Sequence, residues 1–344
     1  MSIQTPKPTV AFRHGFCFAC CAIWLLVATT VAAEDLADEL KNVPYKIIYE
    51  TWQDDNWELF LANADGSHPV NVTGTPNVHE LYPHASSDGS KVCFVRDEGE
   101  GTSMVRSVYF MNIDGTGRQL VARNARQPCW NPQGTAIAYL KAESEQFSYM
   151  DFATKGLFFY DVKTGQHKQH VNRDLHHIYN PCWSPDGNWF LATVHAGMGY
   201  RHAILAFNAE GTDVFDLKLG GCRAEFSPNG KQVAWGAGDH TLRVMDLDLS
   251  GSEPRVSGGR DVVTSPKPDM IYHFDWSPDG RYFAFTRGRP KRTLGDQAAV
   301  VGNRADGWNI CVADAANSNR WVAITVDGHS NKEPDWVPVP QVKP

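Results

Sequence analysis

One short corner, written Ser-Pro-Asp-Gly or a near variant, returns along this chain and fixes what it can become. Its fullest copies are Trp183-Ser184-Pro185-Asp186-Gly187 and Trp276-Ser277-Pro278-Asp279-Gly280, followed by Phe226-Ser227-Pro228-Asn229-Gly230. Trp130-Asn131-Pro132-Gln133-Gly134 and Ala85-Ser86-Ser87-Asp88-Gly89 are weaker copies. Proline presets φ at the second place of a turn, Asp tolerates the third, and Gly closes it without steric cost, so each copy reads as a hairpin corner. A sixth copy, Glu333-Pro334-Asp335-Trp336-Val337-Pro338, keeps the lead-in and the tryptophan but lacks the turn. The lead positions Ala85, Trp130, Trp183, Phe226, Trp276 and Trp336 are spaced by roughly 40 to 60 residues, in and above the range of a propeller blade.

Each unit repeats one order. A strand ends in the lead aromatic, the corner follows, and a second apolar strand comes next, as in KVCFV, AIAYL, WFLAT, QVAWG and YFAFT. A third, alternating strand runs into an Asp/Asn-rich turn, as in WELFLANADG and SVYFMNIDG, and a short fourth leads away. Helical periodicity is almost absent, and four strands per unit is the blade of a propeller. The first unit lacks its first strand, and the C-terminal EPDWV supplies a lone one. The expected fold is therefore all-β: a six-bladed propeller of four-stranded blades over residues 45–338, its ring closed by the C-terminal strand joining the N-terminal blade. The lead aromatics are expected to wedge between blades, where each buries a large apolar area. The corners thus build the ring rather than carry chemistry.

The ends read differently. Residues 1–33 carry Lys7 and Arg13 before an apolar run that finishes with Val31 and Ala33 at the places a signal peptidase prefers. They are read as a signal peptide cleaved after Ala33, with an uncleaved anchor as the other reading. This implies a periplasmic or secreted protein with no membrane span once cleaved. Residues 34–44 are a short polar leader, with a helical turn before Pro44, and 339–344 a tail. Five cysteines follow residue 33 (Cys93, Cys129, Cys182, Cys222 and Cys311) without close pairing, so they are expected as buried apolar side chains rather than zinc ligands. A net charge of −7 argues against a nucleic-acid partner, and the one basic run, Arg287 to Arg292, is too short to reverse that. The chain is read as a monomer. The charged, Gly-rich stretch 287–307 is either a disordered loop or a lid over one face.

Counting three residues back from each lead position gives Tyr82, Gln127, Asn180, Arg223, His273 and Glu333, all polar. These are expected to ring the channel mouth and to bind whatever enters it. The neighbouring loops add His79, Glu80, Arg126, His176, His177, Tyr179, Asp269, Tyr272, His329 and Lys332.

The copies NPCWSPDGNWFLAT and HFDWSPDGRYFAFT resemble the TolB-type (WD40-like) β-propeller repeat, whose signature is a proline, an aromatic, then S-P-D-G, and the resemblance spans residues 45 to 338. The repeat is specific for fold and weak for function. TolB itself has an α/β domain ahead of its propeller, which is not expected here, and no G-x-S-x-G elbow of the peptidase relatives is present. Oligogalacturonide lyases have similar repeats and hold manganese through channel histidines and a glutamine. By that resemblance His79, His177, His273, His329 and Gln127 are candidates for a divalent metal, with Arg223 or Lys332 neutralising a uronate. Two functions stay open: a scaffold that binds an envelope protein or a glycan, without a cofactor, and a metal-dependent polysaccharide lyase or hydrolase at the His-rich rim. An aromatic, apolar mouth would favour the first, converging imidazoles the second.

Overall fold

The computed structural model describes residues 35–290 and 300–339. Residues 1–33, read from the sequence as a signal peptide, and residues 340–344 of the tail lie outside them.

β1 (Lys46–Gln53), β2 (Asn56–Asn63) and β3 (Val70–Asn71) open the chain. The next blade holds β4 (His79–Ala85), β5 (Lys91–Glu98), β6 (Val105–Asn112) and β7 (Gln119–Arg123). It is followed by β8 (Ala125–Trp130), β9 (Ala136–Ala142), β10 (Thr154–Asp161) and β11 (His167–Gln169). Then come β12 (Ile178–Trp183), β13 (Trp189–Gly197), β14 (Tyr200–Asn208) and β15 (Val214–Asp216). β16 (Cys222–Phe226), β17 (Gln232–Gly236), β18 (Thr241–Asp248) and β19 (Arg255–Thr264) form another blade, and β20 (Met270–Trp276), β21 (Tyr282–Gly288), β22 (Asn309–Asp314) and β23 (Trp321–Ala323) the last full one. β24 (Ser330–Val337) returns to the start, pairing antiparallel with β1 in a sheet ordered β24-β1-β2-β3. The result is a six-bladed propeller of four-stranded antiparallel sheets, with β4, β8, β12, β16, β20 and β24 innermost.

The corner sequence explains itself locally. In the Trp183 copy, Ser184 Oγ donates to Asp186 Oδ1 at 2.6 Å and accepts from Trp189 N at 2.9 Å, while Asp186 Oδ1 accepts from Asn188 N at 3.0 Å. Gly187 sits at φ 77°, where a side chain would be strained. Ser277, Asp279 and Gly280 repeat this arrangement, as do Ser227, Asn229 and Gly230. Second strands are buried on both faces between neighbouring blades, which is why Val92 to Val95 and Phe190 to Ala192 read as unbroken apolar runs. Lead aromatics sit at the seams. Trp130 meets Phe110 of the preceding blade edge-on at 5.9 Å, Trp183 meets Phe159 at 5.3 Å, and Trp336 stacks on Tyr282 at 6.3 Å.

The leader is part of the fold. Residues 35–40 form a helical turn whose Leu36 and Leu40 are buried against Trp336, Tyr282 and Ile310, across the seam where the ring closes. Arg320 fixes it there by donating to Glu39 Oε1 at 2.7 Å. The five cysteines among the described residues are free thiols, with Cys222 partly exposed and the others buried.

Candidate functional site

The six minus-three residues form one layer of the channel. Tyr82, Gln127, Asn180, Arg223, His273 and Glu333 all have left-handed backbone, with φ between 47° and 59°. Each coincides with a register shift in the innermost strand, so the strand bulges and turns this one side chain onto the axis. None is β-branched, in keeping with the steric cost of that conformation. Asn180 Nδ2 donates to Tyr82 Oη at 2.6 Å and its backbone N donates to Gln127 Oε1 at 3.1 Å. Arg223 donates to Glu333 Oε1 at 3.1 Å and to Asp151 Oδ2 at 3.1 Å. His273 Nε2 lies 3.0 Å from the same Glu333 oxygen. Burial, helped by the Arg223 charge, holds His273 down at about 4, so the imidazole is neutral at pH 7 and donates from Nε2. Burial pushes Glu333 up, but Arg223 and His273 outweigh it and keep it ionised. These residues pair with one another, and they narrow the channel into a neck.

Two segments cap the loop face beyond this neck. From 143–153, Met150 O and Ser148 O accept from Arg126 at 2.6 and 3.1 Å, Phe147 lies under Arg106, and Asp151 reaches Arg223 on the axis. From the insertion, Val300 O accepts from Lys332 Nζ at 2.9 Å, Gly302 O accepts from Trp57 Nε1 at 3.2 Å, and Val301 is buried among Trp57, Leu81 and Val95. The described part of the insertion is therefore packed over one face. Residues 291–299 lie outside the described residues.

The histidines proposed as metal ligands do not come together. His79 is half-buried on β4, its Nδ1 2.8 Å from Asn56 Oδ1 and its ring beside Trp52. His177 precedes β12 at the surface, with Nδ1 on Ala196 O at 2.9 Å and Nε2 3.1 Å from Glu143. His273 is in the neck, and His329 stands in the exposed turn before β24. Among the described residues no three His, Cys, Asp or Glu side chains meet where a metal ion would sit. Arg223 and Lys332, offered for a uronate, are buried and turned to internal groups, Lys332 lying 3.7 Å from Glu50. Loops at one end of a ring share an axial level; the radial directions of their side chains decide whether they meet, and those of the four histidines differ.

The corner face presents a different site, which the minus-three count passed over. One residue before each lead position stand His84, Cys129, Cys182, Glu225, Asp275 and Asp335, one from each blade. They form a second layer, and several stitch the ring by accepting the lead N–H of the next blade. His84 Nδ1 accepts from Trp130 N at 3.4 Å, Asp275 Oδ2 from Trp336 N at 2.7 Å, and Asp335 Oδ2 from Ala85 N at 2.6 Å; the Cys182 thiol takes Phe226 N. Above them opens a funnel of about 420 Å³, walled by Trp130, Trp183, Phe226, Trp276 and the corner prolines Pro132, Pro185, Pro228 and Pro278. Below, between this layer and the neck, lies a smaller cavity of about 50 Å³ bordered by Asn180, Arg223, Glu225, Asp275 and Asp335. Burial raises Glu225 to about 8, with the Asp275 charge adding to it, and likewise pushes up Asp275 and Asp335. The corner strings are thus also the rim of the channel's open end. The signal was available in the sequence as the same count taken one step before the lead.

No family model and no curated protein matches the chain. Solved structures share its fold. TolB from Acinetobacter baumannii superposes with a TM-score of 0.61 at 16% identity, covering 86% of this chain and 67% of that one. The nidogen/laminin complex gives 0.57 at 10% identity, covering 85% of this chain and 98% of that one. Hydrazine synthase from Kuenenia stuttgartiensis gives 0.56 at 12% identity over 90% of this chain and 48% of that one. The fold is the TolB-type six-bladed propeller, and at such identities the likeness is one of fold.

Proposed function

We propose that the chain is an exported, TolB-like binding scaffold whose recognition surface is the corner-face funnel and whose partner is a protein of the cell envelope. The observation that carries this reading is the asymmetry of the channel. One end is packed with the 143–153 and 300–307 segments, while the other opens as a funnel walled by aromatic rings and prolines. Such a wall suits an apolar, extended protein segment better than a sugar, because prolines offer no side-chain donors and keep few polar groups to be desolvated. The alternative, a metal-dependent polysaccharide lyase or hydrolase, needs imidazoles that converge. Its four candidates are spread over separate blades.

Site-specific photo-crosslinking in the expressing host tests the reading. A photoreactive residue at Ser87 or Pro228, both on the funnel rim, should give a discrete adduct with another protein, while one at Asp306 on the opposite face should not. Adducts from Asp306 alone would overturn it. So would uronate-polymer cleavage that is lost when bound manganese is removed or in the His177→Ala, His273→Ala double variant.

A further inference from the structure

We propose that the funnel receives one basic side chain of the partner, arginine or lysine, with its aliphatic stem against the aromatic wall and its charged head between Glu225 and Asn180. This rests on the reading of the corner face as the docking surface, and it names what that surface recognises.

Glu225 is the member of the lower layer best placed for a ligand. Asp275 and Asp335 each accept a lead N–H of the next blade, whereas the hydrogen bond of Glu225 is to the Cys182 thiol, a weak donor. Arg223, whose charge reaches Glu225, is itself bonded to Asp151 and Glu333 on the neck side. A second acceptor borders the same cavity independently of the carboxylates. Asn180 is 5% exposed, its Nδ2 donates to Tyr82, and its Oδ1 has no hydrogen-bond partner among the described residues. A buried acceptor left this way costs stability until a donor arrives.

Size and sign narrow the donor. The cavity between the layers, about 50 Å³, has room for an ammonium or guanidinium head but not for a sugar ring or an indole. The funnel of about 420 Å³ above it, lined by aromatic rings and prolines, has room and apolar wall for the methylene stem. The cavity sets Glu225, Asp275 and Asp335 against Arg223, which is already paired with Asp151 and Glu333, so an anion would face an excess of carboxyl groups, and the chain as a whole carries −7, which steers cations inward. The raised carboxylates agree: burial lifts them and Arg223 only partly offsets it at Glu225, so a second cation beside them would draw them back toward ordinary values.

The test is selection of linear peptides from a random phage-displayed library against the wild-type protein, followed by binding measurements on three proteins: wild type, Glu225→Gln and Ser87→Trp, the last filling the funnel mouth. Glu225→Gln keeps the shape and removes the group that can ionise against a bound cation, and thermal unfolding checks that the variant is folded. The expected result is a set of peptides rich in Arg or Lys, lost on Ser87→Trp and weakened about tenfold or more on Glu225→Gln, with citrulline or norleucine at the basic position giving the same loss. Peptides lost on Ser87→Trp yet lacking a basic residue, or indifferent to Glu225→Gln, would overturn the basic-side-chain inference and leave the scaffold reading standing. Peptides that bind wild type and Ser87→Trp equally would overturn both.

Discussion

Replacing Glu225 by glutamine should flatten the dependence of stability on pH. Glu225 binds its proton more tightly in the folded ring than in the unfolded chain, because burial and Asp275 raise it to about 8. Stability from this group is therefore greatest at low pH and falls as pH rises from the unfolded value through the folded one. At pH 7 a carboxyl with a value near 8 holds about nine-tenths of a proton when folded and almost none when unfolded, so the loss is about 1.2 kcal/mol per pH unit. Over one unit centred on pH 7 this amounts to about 2 °C in midpoint for a chain of this size. His84 and His273, held down near 4, contribute with the opposite sign, but mostly between their folded values and the ordinary histidine range. They are common to both proteins and cancel in the comparison. The assay is urea unfolding of wild type and Glu225→Gln at pH 6.5, 7.0 and 7.5, with stability plotted against pH. The variant should show the shallower fall and the higher stability at pH 7.5. Parallel profiles would mean that Glu225 is ionised in the folded ring, and the argument from a desolvated, only partly offset floor would fail.

Other outcomes follow from the same geometry. Asp335→Ala leaves the Ala85 N–H without its acceptor and should lower stability by about 1–3 kcal/mol in denaturant titration, while Asp335→Asn, which keeps an oxygen there, should lose much less. Glu333→Gln takes from buried Arg223 one of its two carboxylates and should cost about 3–5 kcal/mol by the same measurement. At Asn180, with φ 49°, glycine should be accommodated far better than valine, whose branched side chain resists that backbone; midpoints of the two variants decide it. An aromatic disulfide thiol reagent should modify Cys222 in the native protein and the buried Cys93, Cys129, Cys182 and Cys311 only after unfolding.

The ring was legible because its punctuation is local. Ser184, Asp186 and Gly187 bond within their own corner, so their spacing survives any packing and reports the blade length directly. The closing strand was legible for a related reason, an unpaired lead-in at one end matching a missing one at the other. The neck residues were legible as a layer but not as a self-paired one. Tyr82, Gln127 and Arg223 are held in left-handed bulges without any glycine to announce them, and their partners come from other blades. Which mouth stays open was not legible at all, since Asp151 and Val300 reach the axis from loops remote in sequence from the strands they cover. The histidine set failed on direction: His79 and His177 turn toward Asn56 and Glu143 of their surroundings, and sequence spacing carries no radial angle.

The seam between β24 and β1 joins groups far apart in the chain; Thr51 and Asn331 bond side chain to side chain across 280 positions. Such non-local pairing forms late and slowly. Before it forms, Glu50 and Asp335 stand in water as ordinary carboxylates; afterwards burial pushes both upward, with Lys332 beside the first and the Ala85 amide on the second. Closing the circle is therefore also an act of proton uptake. The stability these two carboxylates lend the closed ring is therefore greatest at low pH and falls as pH rises through their raised values, so the seam is the part of the circle most sensitive to alkali.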